Sequence, residues 1–390
     1  MRASPLKPNL QICSRCVYDS EVPSITFDDN GVCNYCKMHD ELDRRYPTGP
    51  EGKKILADIA EEIKRAGKGK KYDCIVGVSG GCDSSYMLHK AIEMGLRPLA
   101  VHFDNTWNSP ISTQNIYNVL DKLGVDLWTL VANNKEYEDI YRSFMLSGVQ
   151  DVEAPTDIAL TTTLYMAAEK FGVQYILEGH SFRTEGISPL GWLYMDGKYI
   201  ESVHKAYGRL PMKTYPNLTL GRFVRWTTLR NVKRIRPLWY LPYNKDDARK
   251  LLSEKYGWVW YGGHHLENRF TAFYHAYLMP RRFGVDQRAL GHAASVRSGQ
   301  LDRETALKQL AEPPHCPEDI VEMVKKRLGF SEQDFERVMA LPRQSWHDFK
   351  TYKPVFERLR PFFWVLMKLN RVPESFYMKF CRPMAAQGTT

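Results

Sequence analysis

The ten residues Val76-Gly77-Val78-Ser79-Gly80-Gly81-Cys82-Asp83-Ser84-Ser85 constrain this chain more than any others, because they set a glycine-rich turn between a strand and a helix. The apolar run over residues 72–78 predicts a short buried strand, and residues 83–94, closed by Gly95, predict a helix. Helix N-termini present unpaired N–H groups and a positive dipole end. The amides of Ser79 to Asp83, including Gly80 and Gly81, can therefore cradle a pyrophosphate, with the Ser79 and Ser84 hydroxyls adding donors and Asp83 placed to hold Mg²⁺. The Lys of a Gly-x-x-x-x-Gly-Lys-Ser/Thr loop is missing, and so is the Gly-x-Gly-x-x-Gly of a dinucleotide site. The turn does satisfy the Gly-x-Ser-x-Gly of a hydrolase nucleophile elbow. It follows the first strand of its domain, however, and carries an Asp that an elbow does not need. ATP is the expected ligand.

The chain has 390 residues, enough for two or three domains with a sizeable core. Residues 1–12 hold no apolar signal-like stretch, and the run over 362–367 is far too short to span a bilayer, so a cytoplasmic protein without a transmembrane segment is expected. Four of its eight cysteines fall at Cys13-x₂-Cys16 and Cys33-x₂-Cys36, which reads as a structural four-cysteine Zn²⁺ site; two disulfides, bound iron or a redox pair are the competing readings. The formal charge of +9 is concentrated. Residues 201–240 carry Lys205, Arg209, Lys213, Arg222, Arg225, Arg230, Lys233, Arg234 and Arg236 against one acid, interleaved with Tyr207, Tyr215, Phe223 and Trp226. Such a stripe suits RNA, the charged groups of an activated sugar, an acidic partner, or plain solvent.

Along the chain, predicted strands at 72–78, 98–103, 125–130 and 173–177 alternate with helical patterns near 114–123, 135–144 and 157–171. The expectation is an α/β fold with a doubly wound, mostly parallel sheet, whose ligands bind at the carboxyl ends of the strands. Residues 1–50 form the zinc-binding segment, 51–245 the nucleotide domain with an irregular basic and aromatic insertion over 182–235, and 246–390 a helical C-terminal region. Residues 236–240 read as the last strand. Residues 261–271, containing His264 and His265, read as a substrate-facing loop.

Ser79-Gly80-Gly81-Cys82-Asp83-Ser84 resembles the signature of the PP-loop, or N-type ATP pyrophosphatase, superfamily, an adenine nucleotide alpha-hydrolase-like fold. With the four cysteines, Arg236-Pro237-Leu238, residues 261–271 and the stretch over 278–284, the chain resembles N-acetyl sugar amidotransferases of bacterial lipopolysaccharide O-antigen and surface-glycan biosynthesis. The resemblance implies Lys and Ser where His264 and Asn268 stand. It also implies ATP cleaved between α and β phosphates, with catalytic roles for Asp83, Ser79 and His180, and His102, Phe103, Gly179 and His180 lining the nucleotide at two strand ends. His265, Glu267 and Arg269 are the substrate-side candidates. The reaction implied converts an acetamido group of a nucleotide-activated diacetamido sugar to an acetamidino group through an O-adenylyl imidate. A glutaminase of either common type is lacking, since position 2 is Arg2 and no cysteine has the Gly-x-Cys-x-Gly setting. The resemblance implies a separate class I glutaminase subunit, accompanied by a cyclase-like barrel protein that conducts ammonia. The alternative is a tRNA-modifying PP-loop enzyme; the amidotransferase reading expects no nucleic acid.

Overall fold

The fold is taken from a computed structural model that describes residues 10–189, 191–263 and 265–383. Two helices, α1 (Asn34–Arg45) and α2 (Gly49–Ala66), lead into β1 (Cys74–Gly77), α3 (Cys82–Glu93), β2 (Pro98–Asp104), α4 (Pro110–Leu123) and β3 (Leu127–Val131). Then come α5 (Asn134–Ser147), α6 (Ala154–Phe171), β4 (Tyr175–Leu177), α7 (Gly197–Tyr207), α8 (Leu220–Thr228) and β5 (Lys233–Ile235). The five strands form one parallel sheet in the order β3-β2-β1-β4-β5. The central strand β1 sends Cys74 and Val76 to one face, among residues of α3 and α4, and Ile75 to the other, among residues of α6 and α8. Both faces being covered, its run is apolar throughout instead of alternating with polar residues. The chain builds outward from β1 through β2 to β3, then returns to lay β4 on the other side of β1. The carboxyl ends of β1 and β4 therefore flank the crevice where the winding reverses, which is where a parallel sheet of this kind takes its ligand.

Two sequence expectations change here. Residues 236–240 do not form the last strand. Pro237 has no N–H to donate to a ladder, so β5 stops at Ile235 and Pro237–Tyr240 is a 3₁₀ turn. The stretch over 182–235 is not wholly irregular either, because Asp196 and Thr219 accept from the backbone N–H of Tyr199 and Arg222 and so cap α7 and α8. Its basic stripe is substantially neutralised. Arg225 and Arg230 pair with Glu169, Lys233 with Glu62, and Arg234 and Arg236 with Glu178.

Past β5 lie α9 (Lys245–Tyr256), α10 (Arg269–Phe273) and α11 (Arg288–Arg297), followed by further helices. The C-terminal region also folds back over the N-terminal segment: Ala293 and Ala306 share a buried cluster with Cys13, Cys16, Tyr18, Cys33 and Cys36. Among the described residues no helix is long and apolar enough to cross a membrane.

Candidate functional site

Only glycine fits at two points, one in the turn between β1 and α3 and one packed against it. Gly80 has φ +78°, and a Cβ there would lie 2.1 Å from the Ser112 carbonyl oxygen; a Cβ on Gly179, at the end of β4, would lie 2.7 Å from the carbonyl oxygen of Asp83. Neighbouring side chains hold the turn rigid. The Trp258 indole donates to the Gly80 carbonyl (2.9 Å), and His102 Nδ1 donates to the Val78 carbonyl (2.7 Å) while its Nε2 accepts from Asn108 (2.9 Å). The Ser79 and Ser84 hydroxyls lie 3.3 Å apart, and Ser79 Oγ accepts from the Gly81 N–H (3.3 Å). Both hydroxyls thus line the loop, with Asp83 in the first turn of α3 beyond them.

Asp83 is held from both sides. Tyr243 donates its hydroxyl to Oδ1 (2.5 Å), and the Lys245 ammonium lies 3.0 Å from Oδ2 and 3.9 Å from Glu185 Oε1. Burial works to raise the Asp83 pKa, yet Lys245 and the Tyr243 hydroxyl hold it below the ordinary carboxylate range, so the loop presents an ionised acid. Glu185 shows the opposite balance, burial and the Asp83 charge pushing it up to about 7. Lys245 and Tyr243 went unnoticed in the sequence. One signal was present: Lys245 is the first residue of α9, behind an Asn244 cap, and a cation there sits at the unfavourable end of the helix dipole.

A second wall closes over the loop from the C-terminal region. The space beside Gly81 is bounded by the Tyr261 hydroxyl and Glu267 Oε1, 3.4 and 3.6 Å from where a Cβ would stand. His265, in the left-handed region at φ +60°, brings Nδ1 to 3.6 Å from Glu267 Oε1 and stacks on His275. Burial lowers the His265 pKa, but Glu267 and Glu185 outweigh it and the net shift is upward. Glu267 Oε2 is buried and has no hydrogen-bond partner among the described residues. Of the substrate-side candidates, His265 and Glu267 thus reach the loop. Arg269 instead pairs with Asp319. Asn268 is a cap, accepting from the N–H of Phe270 and Thr271 and donating to Asn105. His264 lies outside the described residues.

At the other strand ends, His180 Nδ1 accepts from the Trp239 indole (3.3 Å), and burial with the nearby Arg236 drops its pKa to about 3, leaving a neutral imidazole. Phe103 packs edge-on against Tyr137 in the core. With both nitrogens engaged, His102 braces the loop through Val78, so its side chain and that of Phe103 serve the protein interior and not the cleft.

The four N-terminal cysteines converge. Their sulfurs all lie within 4.8 Å of one another, with Cys13 to Cys36 and Cys16 to Cys33 at 3.8 Å and Cys33 to Cys36 at 3.6 Å. A tetrahedral ion with bonds of about 2.3 Å to sulfur requires edges of about 3.8 Å. The set therefore fits one ion such as zinc, whereas a four-iron cluster would draw each thiolate to a separate iron. Arg297 of α11 is buried against this cluster, donating to Cys16 Sγ (3.2 Å) and Cys36 Sγ (3.4 Å), where its charge offsets that of the thiolates.

Residues 267–362 match the family model described as the C-terminal domain of the WbpG-like LPS biosynthesis protein. No curated protein matches the chain. Among solved structures, NMN synthetase from Francisella tularensis is 13% identical over 76% of this chain and 92% of its own, with a TM-score of 0.33. The U34-tRNA thiolase NcsA from Methanococcus maripaludis, solved with its [4Fe-4S] cluster, is 13% identical over 78% and 90%, with a TM-score of 0.29. Glutamine-dependent NAD⁺ synthetase from Acinetobacter baumannii is 14% identical over 84% and 53%, at 0.31. Likeness at this level adds nothing to what the sheet order itself establishes.

Proposed function

We propose that this chain is an ATP-dependent, AMP- and pyrophosphate-forming amidotransferase that converts an acetamido group of a nucleotide-activated sugar to an acetamidino group for lipopolysaccharide or a related surface glycan. The observation that carries the reading is the ionised Asp83 at a glycine turn in the sheet's reversal crevice, faced by Glu267, the first residue of the LPS-biosynthesis match, and by His265 just before it.

The chemistry needed is activation of a poor electrophile. An amide oxygen attacks the α-phosphorus of ATP and pyrophosphate leaves; ammonia adds to the resulting imidate carbon, and AMP departs with the former amide oxygen, giving the amidine. The turn amides and the Ser79 and Ser84 hydroxyls receive the phosphates. Asp83, with the orphaned oxygen of Glu267 across the loop, provides carboxylate oxygens suited to Mg²⁺. That ion, when bound, neutralises charge on the departing pyrophosphate. Lys245 and the turn amides add positive potential on the same side. The neutral His180, near enough to feel Asp83 and Lys245, serves as a hydrogen-bonding group and not as a cation. Two features count against the tRNA-modifying alternative: five of the nine stripe cations are already paired with acids, and Cys82 is a poor nucleophile, its thiol pushed up to about 12 by burial.

The test is AMP and pyrophosphate release by the purified chain supplied with ATP, Mg²⁺, an ammonium salt and UDP- or CMP-linked diacetamido sugars. Release that depends on one of these sugars is expected. Release driven by tRNA and indifferent to every sugar would overturn the reading.

A further inference from the structure

We propose that Lys245 is a catalytic cation that occupies the metal's side of Asp83 until nucleotide arrives, so that divalent metal enters the loop together with ATP and not ahead of it. The inference rests on the ATP reading above and concerns the order in which that site fills.

Both oxygens of the loop carboxylate are taken. Oδ1 accepts from Tyr243 (2.5 Å), and Oδ2 faces the Lys245 ammonium at 3.0 Å, with Glu185 Oε1 3.9 Å from the same ammonium. A metal seeking Oδ2 meets a positive charge already in place, and two cations cannot share one carboxylate edge without strong repulsion. The two donors differ in freedom. Tyr243 is fixed, since its ring is buried and its carbonyl accepts from Gln300 (2.9 Å). Lys245 carries its charge on a four-carbon stem that pivots without backbone movement. A triphosphate laid on the turn amides brings several negative charges within reach of that ammonium. The lysine can then exchange Asp83 for a phosphate oxygen, freeing Oδ2 for the metal that accompanies ATP. Lys245 stands in the first turn of α9, against the helix dipole, a local cost that its pairing with Asp83 offsets.

The two roles differ in the sign of one effect. A structural pair predicts that losing the lysine weakens metal and nucleotide binding together; the exchange predicts that they move in opposite directions. Mn²⁺ binding to the full chain, followed by electron paramagnetic resonance without nucleotide, should be about tenfold tighter in Lys245→Met than in wild type, while affinity for MgATP falls about tenfold or more. Lys245→Arg, which keeps the charge, should leave Mn²⁺ binding weak. Lys245→Gln gives the same reading if the methionine variant does not fold. Mn²⁺ affinity that is unchanged or lowered in a folded neutral variant overturns the proposal, as does undiminished MgATP affinity. A wild-type chain that binds Mn²⁺ but no ATP sinks the nucleotide reading instead, and the Mn²⁺ comparison still reports whether the lysine blocks the carboxylate.

Discussion

Asp83 and Glu185 share one cation, and that sharing decides what happens when either is removed. With Asp83 in place, its negative charge and burial keep Glu185 titrating near 7, so Glu185 is only partly ionised at neutral pH. Replace Asp83 with alanine and that repulsion disappears; Glu185 then ionises and retains Lys245, whose ammonium is already 3.9 Å away. Asp83→Ala should therefore melt within a few degrees of wild type while sugar-dependent AMP release falls at least about a hundredfold, because the carboxylate at the charge-separating step is gone. A variant that melts normally and still releases AMP at near wild-type rate would remove Asp83 from the chemistry. Gly80→Ala is expected to behave in the opposite way. A Cβ 2.1 Å from the Ser112 carbonyl oxygen, at φ +78°, forces the turn to move. A loss of about 2 kcal/mol or more in chemical denaturation should accompany the loss of activity. The glycines and Asp83 were legible in the sequence because they stand side by side in one short run between a strand and a helix. Lys245 and Tyr243 were not, because their contact with Asp83 closes across about 160 residues of chain.

Helices and strands were readable wherever their signals are local, which is why the parallel sheet emerges from apolar runs and helical periodicity while its last strand was misplaced by a few residues around Pro237. The metal segment shows what local reading misses. The Cys-x₂-Cys spacing announces four ligands, but nothing near it announces that Arg297 donates to two of the sulfurs or that Arg303 donates to the carbonyls of Cys13 (2.8 Å) and Cys16 (3.1 Å). Those contacts tie the N-terminal segment to α11 and the helix after it. Cys16→Ser should consequently abolish stoichiometric zinc by metal analysis and lower global stability by at least about 3 kcal/mol, with the C-terminal helices losing hydrogen-exchange protection along with the cysteine segment. Full zinc occupancy in that variant would exclude a four-thiolate site. The start of α6 makes a further prediction. Burial pushes Asp151 up to about 7 and Glu153 up to about 8, both above the usual carboxylate values near 4. Acids whose folded pKa is raised favour the folded state below their unfolded pKa and lose that contribution as pH climbs through the folded one. Melting temperature should accordingly fall from about pH 4 to about pH 8 and level off above that, and Glu153→Gln should flatten that slope. A slope untouched by the substitution would assign it to other groups.

At the scale of the whole molecule, the C-terminal region does two jobs with one set of contacts. It clamps the cysteine segment through Arg297 and Arg303, and through Trp258, Tyr261 and Glu267 it closes over the glycine turn. The candidate pocket is therefore complete only when distant parts of the chain have assembled, and the family likeness of residues 267–362 begins at Glu267, one of the residues that close it. The amidotransferase reading expects nitrogen to be supplied from outside the chain. The four cysteines outside the metal cluster, Cys74, Cys82, Cys316 and Cys381, are raised in pKa by burial instead of being activated. The amidotransferase reading then requires that nitrogen arrive as free ammonia. With ATP, Mg²⁺ and a suitable diacetamido nucleotide sugar, the isolated chain should form product from ammonium salts, faster as pH rises and NH₃ replaces NH₄⁺, and none from glutamine. Exchange of C=O for C=NH should make that product about one mass unit lighter and more positively charged near neutral pH, which mass spectrometry and anion exchange both detect. Adding a class I glutaminase partner should restore glutamine use. Robust glutamine-driven turnover by the chain alone would mean that one of its buried cysteines is a nucleophile after all, and the division of labour proposed here would fall with it.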